Sequence, residues 1–390
     1  MLLSNGFDPD PRVHNEALAL VEHGFDVEVI CWNRDRGTNR PKAQIIDGIK
    51  IKRLGPRSKH NLGNVQTLFI LLFWLNVGIN LFHRNFDAIH CHDFDTLPIG
   101  FLLAKIKKCK LIYDAHEHYA SMIGFQSGRF IAKMVFSAEN QLIRYVDLVF
   151  TVGEILAKDF LRRGAKSVRI VGNWKNPDDF IFDDEKMESL RRRLGIKQDR
   201  VLVVCYITNL TAERFILPLM NAVAHQPNLF LIIGGNGPME HIILNAAKNT
   251  DNVKYLGFVH PVDIPKYVAL SDVIFYGFDT RNENSKYSAP NKLFEALAAG
   301  KIIVSGNFGE IGQIITRHDC GVLLENYESL TIRETLNLLF LKEDHLEEIK
   351  RKAVLLARST YNWNNAKSIL RQSYARLLDH SNLYPQKPTI

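Results

Sequence analysis

Lys292 and Glu295 stand three residues apart in "YSAPNKLFEALAAGKIIVSG" (287–306), which reads as a helix followed by a strand. A lysine in a first helical turn meets the positive end of the helix dipole and is unfavourable unless an anion lies above it. Ser288 or Ala289 is the expected cap, Pro290 suits the first turn and Gly300 suits the stop. The spacing puts Lys292, Glu295 and Ala299 on one face, with Leu293 and Leu297 toward the core. An ammonium beside unpaired helix N–H groups makes an anion pocket suited to phosphate. A carboxylate one turn deeper suits a pair of ribose hydroxyls. An exposed i,i+3 salt bridge accounts for the same spacing, and the residues alone leave both readings open.

Arg12 poses the same puzzle in "LLSNGFDPDPRVHNEALALVEHGFDVEVICW" (2–32). Asp10 is a good cap, Pro11 suits the first helical position, and Val13, Ala17, Leu20 and Val21 form the buried stripe. That places Arg12 in a first turn, beside a flexible loop containing Gly6. A salt bridge to Asp8 or Asp10 is the plain alternative to an anion. Polar groups also gather in "AIHCHDFDTLPIG" (88–100) and "LIYDAHEHYAS" (111–121), each a strand running into polar residues. His90, His92, His116 and His118 invite a metal reading, and strand alternation puts His90 and His92 on one face. No H-E-x-x-H helix follows, so ligand-facing polar groups at strand ends are the better reading. "IIGGNGPME" (232–240) is a strand, a glycine-rich turn and a helix, without the G-x-G-x-x-G spacing of a dinucleotide site.

The elements that must hold these groups alternate throughout the chain. Strands are expected at 2–4, 27–32, 88–91, 111–115, 148–152 and 168–171, with a hairpin at 45–54 turning on Asp47-Gly48. The second half repeats the scheme at 201–206, 229–234, 253–257, 273–276, 302–305 and 322–324. Short apolar runs between helices are the pattern of parallel strands covered on both faces. With 390 residues, two doubly wound domains follow, 1–175 and 185–360, joined through the polar stretch 172–186. A last helix at 363–379 needs a surface to cover. Five scattered cysteines read as reduced, buried thiols, and "MLLSNGFDPDP" lacks the features of a signal peptide, so a cytoplasmic protein is expected. The net charge of +7 is spread out, and the basic clusters at 105–110 and 160–169 carry no nucleic-acid signature. In 65–82 only 68–75 is unbroken apolar, too short to span a bilayer. That segment is expected as a buried helix or one lying on a membrane surface.

Taken together, "DPRVHNEAL", "HCHD", "YDAHEHY", "GGNGP", "LGFV" and "SAPNKLFEALAAGKIIVS" resemble group 1 glycosyltransferases, the retaining family usually called family 4. The motifs run in the family's order over about residues 1–375. The resemblance implies the GT-B fold, two Rossmann-like doubly wound parallel-sheet domains facing a cleft. It also implies a nucleotide-sugar substrate held mainly by the C-terminal domain, with no metal or other cofactor. Lys292 and Arg214 match the cations on the diphosphate, and His116 matches the histidine at the sugar end. Glu295 matches the ribose-holding glutamate, with Gly235, Gly237, Asn291 and Tyr287 beside the donor. Gly6, Arg12, His92, Asp93 and Glu117 fall on the acceptor side. Tyr287 stands where the family's motif has its first glutamate, for which Asp279 or Glu283 are substitutes within reach. Thr208 and Phe215 stand where relatives often carry glycines. The implied reaction is sugar transfer to a saccharide or lipid-linked acceptor in cell-surface glycan synthesis. The basic clusters and the apolar 65–82 segment suit peripheral contact with the cytoplasmic membrane face, and no nucleic-acid partner is expected. The alternatives are a catalytically weakened binding or partner subunit and a nucleotide-sugar epimerase.

Overall fold

Each strand expected from the sequence forms, and the strands assemble into two separate sheets. The computed structural model describes residues 1–7, 10–34, 40–57, 65–197 and 200–378. Its contacts divide the chain into Met1–Gly172 with the segment from Ala366, and Asn173–Asn365.

The first unit holds β1 (Leu2–Leu3), β2 (Glu28–Trp32), β3 (Ala43–Ile46), β4 (Ile49–Leu54), β5 (Ala88–His92), β6 (Lys110–Ala115), β7 (Leu148–Thr151) and β8 (Val168–Ile170). Among the described residues they form one sheet in the order β3-β4-β2-β1-β5-β6-β7-β8. Only the hairpin β3–β4 is antiparallel, closed by Asp47 and Gly48 at φ 50 and 80°. The chain leaves β1 toward β2 and later returns to the other side of β1 as β5. The carboxyl ends of β1 and β5 therefore flank a point where the strand order reverses.

The second unit holds β9 (Leu202–Ile207), β10 (Leu229–Gly234), β11 (Val253–Tyr255), β12 (Val273–Tyr276), β13 (Ile302–Gly306) and β14 (Gly321–Leu324). Their order is β11-β10-β9-β12-β13-β14, all pairs parallel, with the reversal between β9 and β12. β9 and β10 are buried at every position, because Val204 and Tyr206 enter one core while Val203 and Ile232 enter another on the opposite face.

Three details depart from the sequence pattern. In the helix Pro11–Val21 the buried stripe contains Glu16, while Val21 is only half-buried. Cys109 is half-buried; the other four cysteines are buried, and all five are free. The 65–82 segment is a helix, Val65–Leu81, that is not wholly buried: Phe73, Val77 and Leu81 enter the core while Leu71, Leu75 and Ile79 face outward. Among the described residues no helix is long and apolar enough to cross a membrane.

The last helix, Trp363–Leu377, contributes its residues from Ala366 to the first unit. Tyr374 packs there against Phe25 and Phe150 and bonds through its hydroxyl to His90 Nδ1 at 2.8 Å.

Candidate active site

In the second unit, the segments that follow β9 and β12 carry the two candidate cations. Lys292 lies in the helix Asn291–Ala299, whose cap position is Pro290. Neither Ser288 nor Ala289 caps it. The Ser288 carbonyl accepts from Glu310 N–H, and the Ala289 carbonyl accepts from Asn173, which fixes both ahead of the helix. Proline offers no side-chain acceptor, so the first-turn N–H groups have no side-chain cap. Lys292 Nζ donates to Glu295 Oε2 at 2.6 Å, with the two side chains 12 and 7 % exposed. The i,i+3 salt bridge exists, but it is nearly buried. Among the described residues that ammonium makes no other hydrogen bond, and an ammonium has three donors to give.

Arg214 ends the 3-10 turn Ala212–Arg214 after β9. Its Nη1 donates to the Tyr276 hydroxyl at 3.0 Å, and the guanidinium lies 4.5 Å from the Phe278 ring centre. Burial opposes the charge, yet the neighbouring tyrosines Tyr276 and Tyr206 keep the Arg214 pKa above its ordinary value. The next residue, Phe215, adopts φ 53°, a left-handed conformation that glycine takes without strain, and its ring stacks on Tyr327 at 4.3 Å.

Gly235 and Gly237 have φ 129 and 153°. A Cβ on Gly235 would meet the Thr208 carbonyl oxygen at 1.8 Å, and one on Gly237 the Leu210 carbonyl oxygen at 2.6 Å. These glycines let the β10 loop close against the β9 loop, which Thr208 N–H to Gly234 O and Leu210 N–H to Asn236 O bonds then fasten. Asn291 accepts from Lys175 Nζ at 2.9 Å, and Tyr287 is half-buried at the end of the turn Glu283–Tyr287. Asp279 is held by Arg281 at 2.9 Å, which lowers its pKa, while Glu283 is exposed.

In the first unit, Arg12 does not pair with Asp10. Asp10 caps the helix, accepting from Arg12 and Val13 N–H, and Asp8 lies outside the described residues. Arg12 instead forks onto Asp114 at the end of β6, through Nε at 3.2 Å and Nη2 at 2.8 Å, and reaches Glu16 at 3.1 Å. Asp114 also meets His116 Nε2 at 2.9 Å and His92 Nδ1 at 3.2 Å. Burial alone would raise the Asp114 pKa; Arg12 and His116 hold it well below the carboxylate range. His116, with Asp93 on one side and Asp114 on the other, overcomes its burial and is raised to about 9. Burial, then the charge of Asp114, pushes Glu16 up to about 8. Burial lowers His92, and lowers His90 further, with His92 stacked on it at 4.3 Å.

Glu16, His90, His92 and Asp114 offer donor atoms within 4.8 Å of one another, a grouping that can hold a metal ion. The two carboxylates a cation would need already face the Arg12 guanidinium, and Asp114 faces His116 as well. The cluster is a charge-balanced network in its own right. Gly6 is less free than its residue type suggests, because its carbonyl accepts from the buried Arg53 at 2.9 Å. Asp93 sits at φ 60° beside His116, whereas Glu117 is exposed and His118 caps the next helix.

Comparison with known proteins bears on both halves. The glycosyl transferase 4-like domain matches residues 9–174, and the glycosyl transferases group 1 domain matches residues 186–354. The chain belongs to the group 1 glycosyltransferases. A glycosyltransferase of Methanocaldococcus jannaschii is 24 % identical over 370 residues, covering 90 % of each chain. Sucrose-phosphate synthase from Thermosynechococcus elongatus superposes with a TM-score of 0.79 at 16 % identity, over 97 % of this chain and 99 % of that one. HepE of Anabaena, solved with UDP-glucose, gives 0.71 at 16 % identity over 96 and 98 %. At such identities these structures establish the GT-B fold.

In this glycosyltransferase, Arg214 in the turn after β9 and Lys292 in the helix Asn291–Ala299 after β12 follow the two strands at the order reversal of one unit. Arg12, His92, Asp93 and His116 gather at that of the other. Asp114, Glu16 and Tyr276 are the residues that motif reading passed over. Asp114 shares a strand face with His116 by alternation, which is a usable signal. Glu16 looks like an ordinary polar position until its helix is docked, and Tyr276 reads as strand filler.

Proposed function

We propose that this glycosyltransferase moves a sugar from a nucleotide-sugar donor to a saccharide or lipid-linked acceptor, with retention at the anomeric carbon. The observation that carries the proposal is the nearly buried Lys292–Glu295 pair at an uncapped helix start. Breaking the anomeric bond leaves negative charge on the diphosphate. Lys292 Nζ, Arg214 and the N–H groups of the Asn291–Ala299 helix are the donors to receive it. Because these groups supply the positive charge, the reaction needs no bound metal. Glu295 accepts from the ribose hydroxyls while holding Lys292 in position. Gly235 and Gly237 shape the backbone beside the donor, with Asn291 and Tyr287 at its edge.

His116, held cationic between Asp93 and Asp114, serves the sugar end, and Arg12 orients it through their shared carboxylate. Gly6, His92, Asp93 and Glu117 border the acceptor. Retention follows if the acceptor hydroxyl attacks on the face from which the diphosphate leaves, its proton passing to a diphosphate oxygen. The protein works in the cytoplasm on cell-surface glycan, in peripheral contact with the membrane.

A thermal-shift screen against UDP, GDP, ADP, CMP and their sugars tests the reading. A ligand at a hundred times its dissociation constant adds about 2.7 kcal/mol. One nucleotide is expected to stabilise the wild type and to have no effect on folded Lys292→Ala or Glu295→Ala. If no nucleotide shifts the wild type, the donor assignment falls.

A further inference from the structure

The helix Val65–Leu81 presents an outward row that solvent does not favour. Leu68, Leu71, Leu72, Leu75, Ile79 and Phe82 recur at intervals of three and four and are all exposed, Leu75 by 59 % and Ile79 by 66 %. From Leu68 to Phe82 the row runs roughly 21 Å at 1.5 Å per residue. The opposite side of the helix is used, with Phe73, Val77 and Leu81 in the core and Trp74 Nε1 donating to the Asp95 carbonyl at 2.7 Å.

Two more helices continue this side of the first unit. Leu97–Lys107 packs beside Val65–Leu81, and Arg129–Leu142 packs beside Leu97–Lys107. Each repeats one motif, an exposed apolar pair with a lysine between them at helical spacing. The first is Leu102, Lys105 and Ile106; the second is Phe130, Lys133 and Met134. Lys107 lies 5.6 Å over the Phe82 ring, joining the leucine row to the basic edge, and exposed Lys108 follows it. The three helices contain a single acidic residue, Glu139, and it is buried against Arg163.

We propose that this three-helix face is the docking surface for an anionic phospholipid membrane. Apolar side chains alternate with long-stemmed lysines, the pairing that enters the acyl boundary while leaving ammonium groups at the phosphates. A second copy of the chain fits poorly, since a two-fold contact through this face would set lysine against lysine. Nucleic acid would leave the leucine row without a partner. No described helix can cross the bilayer, so the contact lies on the surface. The proposal rests on the membrane contact in the functional reading and assigns it a place and a lipid charge.

Co-sedimentation with vesicles tests it, using phosphatidylcholine mixed with phosphatidylglycerol against phosphatidylcholine alone, in the absence of nucleotide. The wild type is expected to sediment with the anionic vesicles and to be released by salt. Lys105→Gln/Lys133→Gln should bind roughly 30-fold more weakly, at about fivefold per lysine. Leu71→Gln/Leu75→Gln should lose on the order of 100-fold. The lysine variant alters only exposed charge and reads the proposal even if the leucine variant fails to fold. Equal sedimentation with both vesicle types, no sedimentation with either, or a dimer that the leucine variant dissociates would overturn it. Because no nucleotide is present, failure here leaves the nucleotide-induced thermal shift standing, and failure of that shift leaves vesicle binding standing.

Discussion

Arg12 holds two buried carboxylates at once, and its removal should be costly. Arg12→Gln leaves Asp114 and Glu16 without their guanidinium, so a loss of about 3–5 kcal/mol in urea unfolding is expected. A loss under about 1 kcal/mol would mean that the network reorganises around His116. His116 gives the site a pH dependence. Its folded value of about 9 lies above its ordinary value of 6.5. The stabilisation it provides is therefore whole below about pH 6.5 and lost as pH rises through about 9. The shift amounts to on the order of 3 kcal/mol. Comparing urea midpoints at pH 6.5 and 9.5, the wild type should lose more stability than His116→Gln; parallel losses would refute the assignment. At this scale the Lys292–Glu295 pair was legible, because both members lie on one helical turn. Arg12's partner was not, because Asp114 is 102 residues away and only the assembled sheet brings it near.

The strand-end loops of the second unit work as a fastened pair. Phe215 occupies a left-handed position that costs a non-glycine residue roughly 1–2 kcal/mol, offset by its stack on Tyr327. Phe215→Ala and Phe215→Gly both lose the ring, but only alanine keeps the strain. The glycine variant should be the more stable of the two by about 1 kcal/mol, measured by denaturant midpoints. Equal stabilities would show that the loop relaxes when the ring is gone. Strands and the Asp47-Gly48 hairpin were readable from apolar runs and turn residues, which are local signals. The half-exposure of Val65–Leu81 was not, because a helix apolar all round does not announce which side meets the sheet. Helix caps were read unevenly for a similar reason. Asp10 caps by its own side chain, but Ser288 and Ala289 are drawn away by Glu310 and Asn173, which only the folded chain brings near.

Across the whole molecule, two doubly wound units followed from chain length and the alternation of elements. The return of the last helix to the first unit was visible only as an amphipathic stretch in need of a surface. Tyr374 is one of the side chains that fix this return, beside the fully buried Ala366 and Leu370. Tyr374→Ala should destabilise the first unit by about 3 kcal/mol, from the lost ring and the unpaired His90 Nδ1. In hydrogen exchange, β5, β6 and β7 should lose protection while β9, β10 and β12 keep theirs. Uniform loss would mean that the units unfold together. The helix has a consequence for the order of events at the ribosome. The first unit's sheet is encoded within the first 172 residues, yet the surface that Tyr374 and Leu370 cover stays bare until residues near 377 have emerged. At about 5–20 residues per second that interval lasts tens of seconds. During synthesis the second unit, encoded in the middle of the chain, can finish folding before the first, and the nascent N-terminal half is the part that calls for a chaperone.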